Sequence, residues 1–264
     1  MASDAALKTR HRRERGGGAT SLLLVRHGES AANVAATEAE AARAEVIDMP
    51  LRDADVPLTA TGAQQGEALR AWFRAQAPEE RPASVWVSPY QRAVETANIA
   101  LGRQPDGVDV VTDERLRDRE LGIIDLLTSR GVEARLPVEA ARRNRLGRYY
   151  YRPPGGESWA DVSLRIRSFL QVLDSDRCGS NVLVVTHDAV ILLFRAVCEG
   201  LAEPDALRVA RTEPLLNASI TRLVRPNRHS PWRLHTYNDV SHLMEAGARI
   251  TAPTSSKDTN ETTT

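Results

Sequence analysis

The segment Leu22-Leu23-Leu24-Val25-Arg26-His27-Gly28-Glu29-Ser30 constrains the fold more than any other part of the chain. An apolar run without polar alternation stops at an arginine, a histidine and a glycine. The pattern recurs: Val182-Leu183-Val184-Val185-Thr186 ends at His187. Short runs rich in Val and Leu predict strands buried on both faces of a parallel sheet. Apolar helical patterns follow both runs, as a βαβ arrangement requires. Ligands of open α/β sheets bind beyond the carboxyl ends of the strands. His27 and His187 are therefore expected to face one crevice, with a cation and a nucleophile at its mouth, a layout suited to an anionic substrate.

A third segment points the same way. Ser84–Val87 predicts a strand, and Ser88-Pro89-Tyr90-Gln91 a helix start. Ser88 suits the N-cap, Pro89 the first helical position, and Gln91 completes a capping box. Arg92 then falls in the first turn. A cation there is disfavoured by the helix dipole, and makes better sense where it shares an anion bound at the helix start.

With 264 residues the chain suits one large α/β domain with tails. Thirty-five basic residues balance 35 acidic ones, so global charge gives no nucleic-acid or membrane signal. Cys178 and Cys198 fit no metal spacing and suggest reduced thiols in a cytoplasmic protein. The apolar stretch 182–197 is broken by His187, Asp188 and Arg195, so it is no membrane span. Residues 1–20 are expected to form a flexible basic arm, 21–245 the folded domain, and 246–264 a disordered polar tail.

Within the domain, residues 61–76 predict a helix with Leu69, Trp72 and Phe73 on its apolar face. Residues 31–56 suggest a long connection that covers the crevice or merely decorates it, and residues 121–157 an irregular insert rich in Arg and Tyr. A helix begins at Ser158, with Asp161 in a capping-box position and an apolar stripe of Trp159, Val162, Ile166, Phe169, Leu170 and Leu173. Residues 219–224 and 232–237 predict a late hairpin at a sheet edge.

LVRHGES, followed by Asn33, PLTATGAQQ from Pro57, SPYQRAVETA from Ser88, LRDRELG from Leu116, GGES from Gly155 and VTHDA around His187, resembles the histidine phosphatase superfamily, also called the phosphoglycerate mutase-like family. The resemblance runs in order from about Ser21 to Leu243. It implies a three-layer α/β sandwich, a mixed, mainly parallel sheet flanked by helices. It implies phosphoryl transfer through His27 as nucleophile, with Arg26, Arg92 and His187 on the phosphoryl oxygens, assisted by Asn33 and backbone N–H groups after His27 or His187. It implies no cofactor and no metal, because the arginines and histidines supply the positive charge. The substrate is then a phosphorylated small molecule, with neither nucleic acid nor membrane as partner; a homodimer stays open.

The family's acid position falls on Asp118, with Glu120 two residues on as the alternative. In an extended segment both would share a face. Asp188 stands where many family members have glycine. Its backbone is placed in the phosphate site, while its carboxylate, which would repel phosphate, is expected to turn away and cap the next helix. Glu29 is expected to support the site from behind or to steady the next helix, and Glu157 to cap a loop or line the crevice. Hydrolysis of a phosphomonoester is the preferred reaction, with mutase-type transfer, an idle phosphate-binding module and a metallohydrolase as alternatives.

Overall fold

The computed structural model describes residues 18–102, 108–175 and 178–252. Six strands, β1 (Ser21–Arg26), β2 (Ser84–Val87), β3 (Asp109–Thr112), β4 (Asn181–Thr186), β5 (Ile220–Val224) and β6 (Arg233–Asp239), form one sheet in the order β3-β2-β4-β1-β5-β6. The pairs β3·β2, β2·β4 and β4·β1 are parallel; β1·β5 and β5·β6 are antiparallel. In the central pair Leu22 faces Val182 and Arg26 faces Thr186, so both apolar runs end level. The helices among the described residues are α1 (Ala31–Ala41), α2 (Ala60–Ala75), α3 (Gln91–Leu101), α4 (Ser129–Arg135), α5 (Pro137–Tyr150), α6 (Trp159–Leu173), α7 (Asp188–Glu199), α8 (Glu203–Thr212) and α9 (Ser241–Glu245).

Strand periodicity splits the apolar runs between two cores. Leu22, Leu24, Val182 and Val184 pack with Trp159, Val162, Ile166 and Phe169 of α6 and Val190, Ile191 and Phe194 of α7. Val25, Leu183 and Val185 pack on the other face with Leu69 and Phe73 of α2 and Ala93, Ala97 and Ala100 of α3. This is the three-layer sandwich, with a mixed and mainly parallel sheet at its centre. A burial this complete is worth about 1.5–3 kcal/mol for each large apolar side chain.

Several sequence expectations change. The connection 31–56 opens with α1, whose N-cap Ser30 and third residue Asn33 form a reciprocal capping box. The 121–157 insert is largely helical, in α4 and α5, around a small core of Ile124, Val132 and Tyr151. The edge strand β3 was not anticipated: it is four residues long, with Val110 and Val111 part-exposed. Helix α3 starts at Gln91 with Tyr90 as its N-cap, so Ser88 is not the cap. Ala19, assigned to the arm, is buried and donates its N–H to the Leu173 carbonyl; residues 1–17 lie outside the described residues. The tail expected from 246 is anchored as far as Thr251, whose carbonyl accepts from the Asn217 N–H and whose hydroxyl bonds Gln65 and Asn217; 253–264 lie outside the described residues.

Two glycines set the loop that leaves β1. A Cβ on Gly28 would lie 2.6 Å from the Gly62 carbonyl oxygen, and one on Gly62 would collide with the Glu29 carbonyl oxygen. Helix α2 can approach the histidine-bearing loop only because both side chains are absent.

Candidate active site

His27 leaves the end of β1 and is 3% exposed; His187 leaves the end of β4 fully buried. Their rings lie 5.1 Å apart, edge to face. The His27 Nδ1 sits 2.7 Å from the Gly28 carbonyl oxygen. A carbonyl only accepts, so Nδ1 carries the proton and Nε2 keeps its lone pair. Arg92 Nε donates to that Nε2 at 3.3 Å, which requires the same tautomer. Burial, then Arg92, His187 and Arg26, hold the His27 pKa well below its usual 6.5. The imidazole is therefore neutral near pH 7, with a directed lone pair.

Ser88 fixes the second histidine. Its hydroxyl lies 2.8 Å from His187 Nε2 and accepts the Tyr90 N–H at 3.3 Å. Across the ring, Nδ1 faces the Asp118 carboxylate, which favours a proton there over a lone pair, so Nε2 accepts from the Ser88 hydroxyl. His187 then carries its proton on Nδ1, which is buried without a hydrogen-bond partner, 3.3 Å from Asp118 Oδ2 but out of bonding alignment. Burial, then Arg92 and Arg26, keep His187 neutral too. It can donate from Nδ1 without being an imidazolium.

Two arginines flank the histidines. Arg26, 2% exposed, donates from NH1 to the Leu215 carbonyl at 2.6 Å, and its Nε is a second buried donor without a partner. Arg92 projects from the first turn of α3, with its guanidinium 5.0 Å from the Tyr90 ring centroid. It bonds Asp118 Oδ2 at 3.0 Å and Asp53 Oδ1 at 2.9 Å. Although burial opposes it, Asp118 and Asp53 raise the Arg92 pKa. One guanidinium serves two carboxylates: burial raises the Asp53 pKa, Arg92 pulls it back, and Asp118 adds to the rise.

The remaining expected residues divide. Asp118 lies inside, touching Arg92 and His187, and its Oδ1 accepts the Arg119 N–H. Glu120 is exposed, accepts the Gly122 N–H and bonds neither Arg92 nor His187. Glu157 clamps the segment, taking the Glu120 N–H, Arg117 and Arg165. Asn33 reaches the site edge with its amide oxygen committed to Ser30 and Asn217. The Gly28 N–H is taken by Thr96 Oγ1, so that backbone group is not in the cradle. Asp188 is the first residue of α7 and not its cap, which is His187; one carboxylate oxygen accepts the Ala189 N–H, and the other lies 3.7 Å from Arg26 NH2, so the carboxylate does not turn fully away. Glu29 binds Thr59, the N-cap of α2.

Sequence reasoning missed three contributors. Asp53 sits on Arg92, Ser88 orients His187, and Asn217 donates to the His27 carbonyl at 3.3 Å. Asp53 and Asn217 lie in connecting segments without periodicity, and Ser88 carried a helix-start signal that masked its other role.

The arrangement offers a neutral imidazole with a directed lone pair, two guanidiniums, two orphaned buried donors and three carboxylates, Asp53, Asp118 and Asp188. Comparison with known proteins agrees. The profile of the histidine phosphatase superfamily (branch 1) matches residues 22–240. Phosphoglycerate mutase-like protein 4 of Arabidopsis thaliana is 31% identical over 228 residues, covering 86% of this chain and 88% of its own. A metal-independent phosphoserine phosphatase of the same plant is 27% identical over 229 residues, covering 86% and 85%. Among solved structures, Bacillus stearothermophilus YhfR superposes with a TM-score of 0.66 at 27% identity, over 85% of this chain and all of that one. A mycobacterial glucosyl-3-phosphoglycerate phosphatase gives 0.65 at 25% identity, over 84% and 99%. Motifs, fold, site geometry and relatives converge: the chain belongs to the histidine phosphatase superfamily.

Proposed function

We propose that this protein hydrolyses a phosphomonoester through a phosphohistidine on His27 Nε2. The reading is carried by the His27 tautomer: Nδ1–H held by Gly28, Nε2 unprotonated beside Arg92. Phosphoryl transfer depends mostly on positioning and electrostatic stabilisation. Arg26 and Arg92 are suited to the phosphoryl oxygens, and the unpaired Arg26 Nε and His187 Nδ1 can add two donors. Nε2 attacks phosphorus as the ester oxygen departs. Asp118 is the proton donor to that oxygen, and in the second step takes a proton from the attacking water. Orthophosphate and neutral His27 result.

The two guanidiniums beside the histidines also disfavour a bound cation, which weighs against a metallohydrolase. A phosphorylated small molecule is the proposed substrate, and the free thiols Cys178 and Cys198 favour a reducing, cytoplasmic location. The test is turnover of p-nitrophenyl phosphate with and without 3-phosphoglycerate as acceptor. Release of orthophosphate, an acid-labile phosphoenzyme and loss of both in His27→Ala support hydrolysis. Transfer to the acceptor in place of release would make the protein a mutase, and no turnover at all would make it a binding module.

A further inference from the structure

Arginine has five N–H donors, and every one on Arg92 already has an acceptor within the protein. Nε donates to His27 Nε2 at 3.3 Å. NH1 donates to the Asp53 carbonyl at 2.6 Å and to Asp53 Oδ1 at 2.9 Å. NH2 donates to Asp53 Oδ2 at 3.4 Å and to Asp118 Oδ2 at 3.0 Å. Three of the five bonds go to Asp53 alone. Its carboxylate spans NH1 and NH2, the fork by which a phosphoryl group would present two oxygens. Around the two guanidiniums stand three carboxylates, because Asp188 also faces Arg26 at 3.7 Å. A dianion entering this pocket cannot take the outer edge of Arg92 while Asp53 holds it.

We propose that Asp53 is an internal competitor of the phosphoryl group, bound to Arg92 in the free enzyme, displaced when the phosphate ester binds, and returning to help expel orthophosphate. The inference rests on the phosphoryl-site reading above. The two partners differ in freedom. The Arg92 side chain is 4% exposed on α3, whereas that of Asp53 is 40% exposed and opens a single 3-10 turn, Asp53–Asp55. That turn is braced at the surface by Arg52, which pairs with Asp55 through Nε and NH2 at 2.8 and 2.7 Å. Arg92 does not depend on Asp53 for its place: Asp118, the His27 ring and the Tyr90 ring hold it from other sides. Asp53 is thereby a determinant of affinity, setting how tightly substrate and product are held, and not a participant in bond making.

The test is calorimetric titration of the full chain with sodium orthophosphate, with circular dichroism melts on each form. Asp53→Asn keeps the shape and removes the charge; it is expected to bind orthophosphate about tenfold more tightly, the factor one charge-assisted hydrogen bond is worth. The same factor should appear in the inhibition constant of orthophosphate against p-nitrophenyl phosphate. Asp53→Glu, which restores the charge, should return affinity towards the unmodified protein. Arg52→Ala loosens the turn and leaves Asp53 in place; it should tighten binding by a smaller factor, and it answers the question if Asp53→Asn does not fold. Unchanged or weaker orthophosphate binding in the folded variants overturns the proposal and makes Asp53 a support for Arg92. If no form of the protein binds orthophosphate, the phosphoryl-site reading falls with it.

Discussion

Replacing Ser88 with alanine deletes one hydroxyl from a fully buried position and leaves the His187 Nε2 without its 2.8 Å partner. An unsatisfied buried polar atom costs about 1–3 kcal/mol, which in a domain of this size lowers Tm by roughly 2–10 °C. The catalytic effect has a separate origin. With Ser88 gone, Asp118 alone selects the tautomer with the proton on Nδ1, and any fraction carrying it on Nε2 turns a lone pair towards the phosphoryl oxygens. Losing one donor in this way should lower kcat/KM by about 10–100-fold, or roughly 1.4–2.7 kcal/mol of transition-state stabilisation. The assay is p-nitrophenyl phosphate kinetics on Ser88→Ala, His187→Ala and the double variant. Because Ser88 acts through His187, the double variant should be no slower than His187→Ala alone. Full kcat/KM in Ser88→Ala, or losses that multiply in the double variant, would refute the tautomer argument.

Asp118→Asn should cost about 100-fold or more on an alkyl phosphate, whose leaving group needs a proton, and far less on p-nitrophenyl phosphate; Glu120→Gln should lie near the unmodified protein on both, and the reverse pattern would move the acid to Glu120. Gly62→Ala places a Cβ against the Glu29 carbonyl, so chemical denaturation should show a loss of about 1–3 kcal/mol, with kcat lowered through displacement of the His27 loop. Burial holds His27 and His187 well below 6.5 and pushes His242 down to about 4. The unfolded chain takes up these protons as pH falls below about 6.5, so stability is lost with falling pH in that window. Tm should drop from pH 6.5 towards 4, His242→Phe should flatten part of that slope, and parallel profiles would count against the assignment.

The central sheet and most of the site were legible because their signals are local. His27 and His187 each end an apolar run, and Arg92 follows a strand-to-helix junction, so one-dimensional order predicts three-dimensional neighbourhood. Where the sheet is thin the signal fails: β3 has four residues and two part-exposed valines, and α5 buries no residue that would mark a face. Asp118 and Glu120 could not be told apart by spacing, since what separates them is the contact of Asp118 with Arg92 and His187, which lie far off in the chain. Asp53 and Asn217 matter through close approach alone. Asp188 shows a different failure: its place at the helix start was foreseen from its position, but it is the first helical residue and not the cap, and its approach to Arg26 depends on a neighbouring strand.

The wall formed by Leu215, Asn217 and Ala218 has a consequence for how the protein comes into being. These residues bond to Arg26 and to the His27 carbonyl across about 190 positions of chain, and Thr251 latches Asn217 from still further along. β1 must also pair with β4 across 160 positions. The pocket therefore closes only after almost the whole domain has emerged and the most distant contacts have formed, which is the slow part of folding for such topologies. A partly synthesised chain carries Arg26, His27 and Arg92 but no working site. An anion bound in the finished pocket ties the ends of β1 and β4 to the start of α3 and so stabilises the native state as a whole.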